Sequence, residues 1–195
     1  MNYQEMKMKL KNALDNNRYE HTKGVMYTAA SMAMAHGYSI EQAMTAGLLH
    51  DCAKCIPNNE KVTLCEKYNI PVTPSEEANP SLLHSKLGAH LAETEYDISD
   101  PNILHAIKVH TTGEPDMNTL DKIIFIADYI EPGRDKAPNL DKVRKLAFTD
   151  LNACMAQILR DTLIYLKQRN EVIDPTTEMT YEFYKQYQED TEHDI

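Results

Sequence analysis

The sequence predicts an all-α fold, a single compact helical bundle over residues 1–195, and three observations predict it. Glycine is scarce, with six in the chain. No run alternates β-branched with polar residues, the period-two pattern of a strand. Apolar residues instead recur three, four and seven apart, between residues that start and stop helices. The length suits one domain with a sizeable core. There is no internal repeat, long linker or low-complexity segment.

The elements follow in order. Residues 3–15 read as a first helix, broken by Asn16 and Asn17. Asn17 caps a second over 18–36, closed by Gly37. "SIEQ" at 39–42 is a capping box, Ser39 as N-cap and Gln42 reaching back. Its helix runs to about residue 54, and Pro57 prevents continuation. A shorter helix covers 60–68, then "IPVTPSEEANP" makes a loop with one helical turn. Asn79-Pro80 opens a helix to about 95, with Pro80 in its first turn. Asp100-Pro101 opens another that reaches His110. Asn118 or Thr119 caps a helix to about 131, stopped by "EPGR". Helices over 140–146, 150–169 and 178–189 complete the chain.

The charge balance excludes some partners. There are 20 Lys+Arg against 30 Asp+Glu, a net charge of −10. Such a surface repels nucleic-acid polymers and anionic membranes. A small anionic substrate stays open, because local metal and arginine charge inverts the field inside a cleft. No apolar run approaches the roughly 18 residues a membrane span needs. The N-terminus lacks an apolar core segment and a cleavage site, so it reads as no signal peptide and the expected location is cytoplasmic. The four cysteines, Cys52, Cys55, Cys65 and Cys154, are expected as thiols. Cys52 and Cys55 form a C-x-x-C, but no second such pair follows and no strand–turn–helix surrounds it.

Helical periodicity sorts the histidines. His21 shares a stripe with Val25, Thr28, Ala29 and Met32. His50 shares one with Ala43, Ala46 and Gly47, small residues that let other helices approach. His84 aligns with Leu87, Gly88 and Leu91; His110 with Ile103, Ala106 and Ile107; Asp128 with Leu120, Ile124 and Ala127. Asp51, next to His50, is a sixth candidate. His105 lies about 140° around its helix from His110 and faces away. His90 is off the His84 stripe, His36 ends a helix, and His193 is in a polar tail; none is expected to be a ligand.

Taken singly, a histidine on an apolar stripe is most often a hydrogen-bonded core residue. Four imidazoles and two carboxylates together are harder to bury, at several kcal/mol for each unsatisfied group. Cations satisfy them. Imidazole with carboxylate suits first-row divalent ions such as iron, manganese or zinc. Six ligands exceed what one open site takes and suit two ions sharing a carboxylate.

The ordered set His21, His50-Asp51, His84, His110 and Asp128 resembles the HD superfamily of metal-dependent phosphohydrolases. The segments "RYEHTKGV" (18–25), "AGLLHDCAK" (46–54), "HSKLGAHLA" (84–92), "AIKVHTTG" (106–113) and "DKIIFIADYIEPGR" (121–134) are similar to its YqeK group, bacterial symmetrical bis(5'-nucleosyl)-tetraphosphatases. The resemblance covers about residues 5–185 and departs at none of the six positions. It implies hydrolysis of diadenosine tetraphosphate and related dinucleotides to two nucleoside diphosphates. It also implies two divalent ions, with iron expected and manganese, zinc or magnesium compatible.

On this reading Asp51 bridges the ions, His21, His50 and Asp128 complete one, and His84 and His110 the other. Asp51, Lys54 and His110 form the catalytic set. Arg18, Lys54, Thr111, Thr112 and Arg134 meet the phosphates, while Lys86 and Lys108 read as solvated. Rival readings are an HD hydrolase of another nucleotide (an alarmone or a deoxynucleotide), a di-iron oxygenase, and a non-catalytic nucleotide sensor. Tyr181, Tyr184 and Tyr187 form a stripe that reads as core, as a homodimer contact or as a base-stacking surface.

Overall fold

The computed structural model describes residues 1–188 and, among them, contains eleven α-helices and no strand. They are α1 (Tyr3–Ala13), α2 (Asn16–Ala35), α3 (Ile40–Leu49), α4 (Asn58–Lys67), α5 (Pro74–Ala78), α6 (Leu83–Tyr96), α7 (Pro101–Val109), α8 (Thr119–Ile130), α9 (Leu140–Leu146), α10 (Leu151–Gln168) and α11 (Pro175–Tyr184). The expected all-α class is observed. Residue 189 of the last expected helix and the tail with His193 lie outside the described residues.

Capping chemistry sets the boundaries. Asp15, not Asn17, caps α2: its carboxylate accepts the Arg18 N–H, so the helix starts at Asn16. Ser39 caps α3, but the Gln42 side chain donates to Asp100 at 2.6 Å and does not reach back. Asp100 caps α7 with Pro101 in its first turn. Asn118 and Asp121 form a reciprocal capping box on α8. Pro80–Leu82 is a 3-10 turn that leads into α6.

Helices α2 and α7 both pack on α3 and α8, which also pack on each other, α6 lies against α7, and α10 backs α8. The α2–α3 crossing is close because Gly47 has no side chain: a Cβ there would stand 3.0 Å from the Met26 Cα. The main core runs under these helices, including Val25, Met26, Leu48, Ile107, Leu120 and Ile124. A smaller core of Ala53, Cys65, Leu83 and Leu87 seats α4 on α6. Tyr184 belongs to the main core, and its hydroxyl accepts the Met117 N–H at 2.9 Å. Lys86 is not merely solvated: it pairs with the buried Glu76 at 2.8 Å. Among the described residues no helix is long and apolar enough to cross a membrane.

Candidate metal centre

The chain departs from regular helix at residues 50–55. In a continuous α-helix, neighbours such as His50 and Asp51 point about 100° apart. Here α3 ends at Leu49, short of the expected residue 54. The Cys52 N–H bonds the Leu49 carbonyl at 3.0 Å, and the Lys54 N–H bonds that of Asp51 at 2.9 Å. This i→i+3 tightening rotates both side chains inward, and both are buried.

The other members arrive from helix ends. His84 is in the first turn of α6, His110 closes α7, and Asp128 lies in the last turn of α8. After His110 the chain reverses at Gly113, whose φ of +67° suits glycine. A Cβ at Gly113 would also meet the Thr180 side chain at 2.8 Å. His21 reaches in from α2.

Hydrogen bonds set the ring orientations. Nδ1 of His50, His84 and His110 contacts the carbonyls of Gly47, Ser81 and Ile107 at 2.7, 2.6 and 2.7 Å. His21 Nδ1 contacts the Glu131 carboxylate at 3.0 Å. These partners only accept, so the network puts the hydrogen on each Nδ1 and leaves a lone pair on each Nε2. All four Nε2 atoms face Asp51. Its Oδ1 is 3.2 Å from His84 Nε2 and 3.7 Å from His110 Nε2. Its Oδ2 is 3.4 Å from His50 Nε2 and 3.9 Å from His21 Nε2. Asp128 Oδ1 joins the latter pair, 3.0 Å from His21 Nε2 and 4.0 Å from His50 Nε2.

The donors fit divalent ions. His21 Nε2, His50 Nε2 and Asp51 Oδ1 are buried without a hydrogen-bond partner. Each such atom costs about 1–3 kcal/mol if nothing satisfies it. The Nε2 atoms of His84 and His110 stand 3.1 Å apart, lone pair toward lone pair, which a shared cation turns from repulsive to favourable. The groups His21/His50/Asp51, His50/His110/Asp128 and Asp51/His84/His110 each gather their donor atoms within 4.8 Å. Imidazole and carboxylate are donors for first-row divalent metals.

Electrostatics favours the ligating forms. Burial pushes the Asp51 carboxyl up, but His50, His110 and His84 beside it hold it well below the usual carboxylate range. Asp128 is likewise opposed by burial and held low by His21, His50 and Arg134. Burial lowers His84 to about 4, so its ring is neutral at pH 7. Burial also lowers the Lys54 ammonium, against the pull of Asp51 and Asp128.

Cationic side chains ring the centre. Arg18 donates to Asp51 Oδ2 at 2.7 Å, and Arg134 to Asp128 Oδ1 at 2.8 Å. Lys54 Nζ is 3.2 Å from His84 Nε2. The Thr111 hydroxyl lies 3.3 and 3.4 Å from Nε2 of His84 and His110. The Thr112 hydroxyl donates to the Gly113 carbonyl at 3.2 Å, beside the chain reversal. A cavity of about 650 Å³ opens beside His21, lined by Asp15, Asn16, Asn17, Arg18, Glu131, Gly133 and Arg134.

The excluded histidines sit elsewhere. His105 bridges Asp121 and Glu114 at 3.0 Å each. His90 stacks on Tyr68 at 4.3 Å, and His36 Nε2 contacts the Ala147 carbonyl. Cys52 and Cys55 are free thiols, Cys52 buried and Cys55 exposed. Sequence reasoning missed Glu131, which it read only as part of a helix stop. The available signal was an acid one turn after Asp128, directly before Pro-Gly. It also missed Arg144, which donates to the carbonyls of Ile130 and Arg134 and pins that turn.

Comparison with known proteins places these residues in a family context. The HD domain family matches residues 18–133. The chain is 40% identical to the symmetrical bis(5'-nucleosyl)-tetraphosphatase of Bacillus subtilis, over 93% of this chain and 96% of that one. It is 41% identical to the protein of the same name from Halalkalibacterium halodurans, over 86% and 89%. It is also similar to a crystal structure of a predicted HD superfamily hydrolase involved in NAD metabolism from Clostridium acetobutylicum. There the TM-score is 0.92 with 35% identity, covering 95% of this chain and 98% of that one.

Proposed function

The chain belongs to the HD domain family, and we propose that it hydrolyses diadenosine tetraphosphate and related dinucleoside polyphosphates symmetrically, to two nucleoside diphosphates. The observation that carries this reading is Asp51, whose two oxygens face two separate sets of imidazoles. His21, His50, Asp128 and Asp51 Oδ2 would hold one divalent ion; His84, His110 and Asp51 Oδ1 would hold the other. When bound, two such ions would lower the pKa of a bound water and offset charge on the reacting phosphate. Iron is the metal proposed; manganese, zinc and magnesium fit the same donors.

The chain's own residues do the positioning on which phosphoryl transfer depends. Arg18 and Arg134 flank the cavity beside His21 and offer guanidinium forks to one end of the polyphosphate. Lys54 and the Thr111 hydroxyl serve phosphate oxygens on the His84 side. Held between them, the substrate would present its second phosphorus to the attacking water. Water adds its oxygen there, the P–O bond to the third phosphate breaks, and one proton is released. Asp51, Lys54 and His110 are the catalytic set proposed, because each reaches the donor centre. An oxygenase would have no use for this ring of cations. The reading includes a cytoplasmic location, supported by four free thiols.

Elemental analysis of anaerobically purified protein, with chromatography of the products from diadenosine tetraphosphate, tests the proposal. The expected outcome is two metal ions per chain and ADP as sole product. AMP plus ATP, or no turnover with metal present, overturns it.

A further inference from the structure

We propose that Glu131 is a positioning residue that makes His21 the strongest donor of the four histidines and so controls retention of the ion on the His21 side. The inference rests on the two-ion reading and concerns a residue outside the ligand set. Three of the four imidazoles hand their Nδ1–H to a neutral backbone carbonyl; His21 alone hands it to a carboxylate. A carboxylate behind the ring raises the basicity of the opposite nitrogen and fixes its aim.

His21 is also the histidine most in need of support. Its side chain is 11% exposed, against 0, 2 and 1% for His50, His84 and His110, and it borders the cavity. Packing alone therefore orients it least.

The seat of Glu131 is built for the purpose. The residue is 5% exposed, and its Oε2 accepts the Gly133 N–H at 2.7 Å. A Cβ on Gly24 would lie 2.5 Å from Oε2, and one on Gly133 would lie 2.9 Å from Oε1. Two glycines thus clear the space that the carboxylate fills. Arg144 fixes the turn from behind, donating to the carbonyls of Ile130, Glu131 and Arg134. A buried carboxylate facing a neutral ring is costly by itself. A cation on the far side of that ring offsets the cost.

Calorimetric titration of the metal-stripped full chain with Mn2+ tests this without any substrate. The wild-type chain should take up two ions. Glu131→Ala should weaken the His21-side ion about 10- to 100-fold, the usual cost of losing such a partner, and leave the other ion's affinity near wild type. Glu131→Gln should fall between, since the amide still accepts from Nδ1–H but carries no charge. Gly24→Ala, which displaces the carboxylate while keeping it, should weaken the same ion, and it decides the matter if Glu131→Ala loses its helicity. Two ions held at wild-type affinity in Glu131→Gln and Gly24→Ala overturn the inference. Equal weakening of both ions also overturns it, because Glu131 then supports the turn rather than His21. A wild-type chain that binds fewer than two Mn2+ ions overturns the two-ion reading itself.

Discussion

His110 and His105 sit five residues apart on α7, about 140° around its axis, and each meets carboxylates. At His110, Nδ1 is committed to the Ile107 carbonyl while Nε2 looks toward Asp51 and His84, with the Thr111 hydroxyl at 3.4 Å. At His105 both nitrogens are committed, Nδ1 to Asp121 and Nε2 to Glu114. Asp121 also accepts the Asn118 N–H at the start of α8. Only its Oδ1 lacks a partner, and burial pushes that carboxyl up toward its protonated form. Both clusters gather histidine and carboxylate within a few ångströms, so proximity does not separate them. What separates them is saturation: one leaves donors unsatisfied toward a common point, the other closes on itself as a clasp between α7 and α8.

The comparison breaks first at Asp51. Replacing it with alanine removes the one group that faces both imidazole sets. We expect loss of hydrolysis by about three orders of magnitude or more, given the several kcal/mol of charge stabilisation at stake. Metal content should fall while far-UV helicity stays. Full activity in that variant ends the account. Next come the cations. Arg18→Ala, Arg134→Ala and Lys54→Ala each remove charge-assisted hydrogen bonds of about 1.5–3 kcal/mol, so kcat/KM should drop about 10- to 100-fold. A variant that retains both metal and wild-type kcat/KM removes its residue from the phosphate path.

The helical period made most of the centre legible in the sequence, because His21, His84 and Asp128 sit on regular helix and His110 caps one, with their neighbours fixed in angle. Their shared inward facing was legible from the same period, and imidazole with carboxylate is a donor set that suits divalent metals. Asp51 was legible only by adjacency: its inward turn depends on the i→i+3 tightening after Leu49, which periodicity does not contain. Glu131 was hidden for a related reason. Its position comes from the Pro132-Gly133 turn and from space left by Gly24 across on α2, a tertiary clearance rather than a pattern. The start of α2 moved to Asn16 because Asp15 outcompeted Asn17 for the cap.

A third test sharpens the comparison through pH. His84 is lowered by burial from 6.5 to about 4. Between those values the unfolded chain binds a proton that the folded one refuses, so metal-stripped protein should lose stability as pH falls from 6.5 toward 4. The full loss is about 3 kcal/mol, or roughly 6–12 °C in Tm for a chain of this size. Thermal unfolding across that range reads it. Asp51 and Asp128, held low by their neighbours, extend the decline below pH 4, as each takes up a proton unfolded before folded. His84→Gln should flatten the upper part of the curve. A slope that survives this substitution assigns the proton to another group.

The smallest effect on catalysis belongs to the clasp. His105→Ala leaves Asp121, which is fully buried, without its imidazole and frees Glu114. Stranding such a group costs about 1–3 kcal/mol, so Tm should fall by several degrees. Metal content and kcat should stay at wild-type values, since the clasp presents no lone pair to the centre. His105→Gln, able to donate to Asp121 through its amide, should recover part of the stability. If His105→Ala instead lost metal while keeping its Tm, the distinction between saturated and open clusters would fail, and His105 would have to be counted among the ligands.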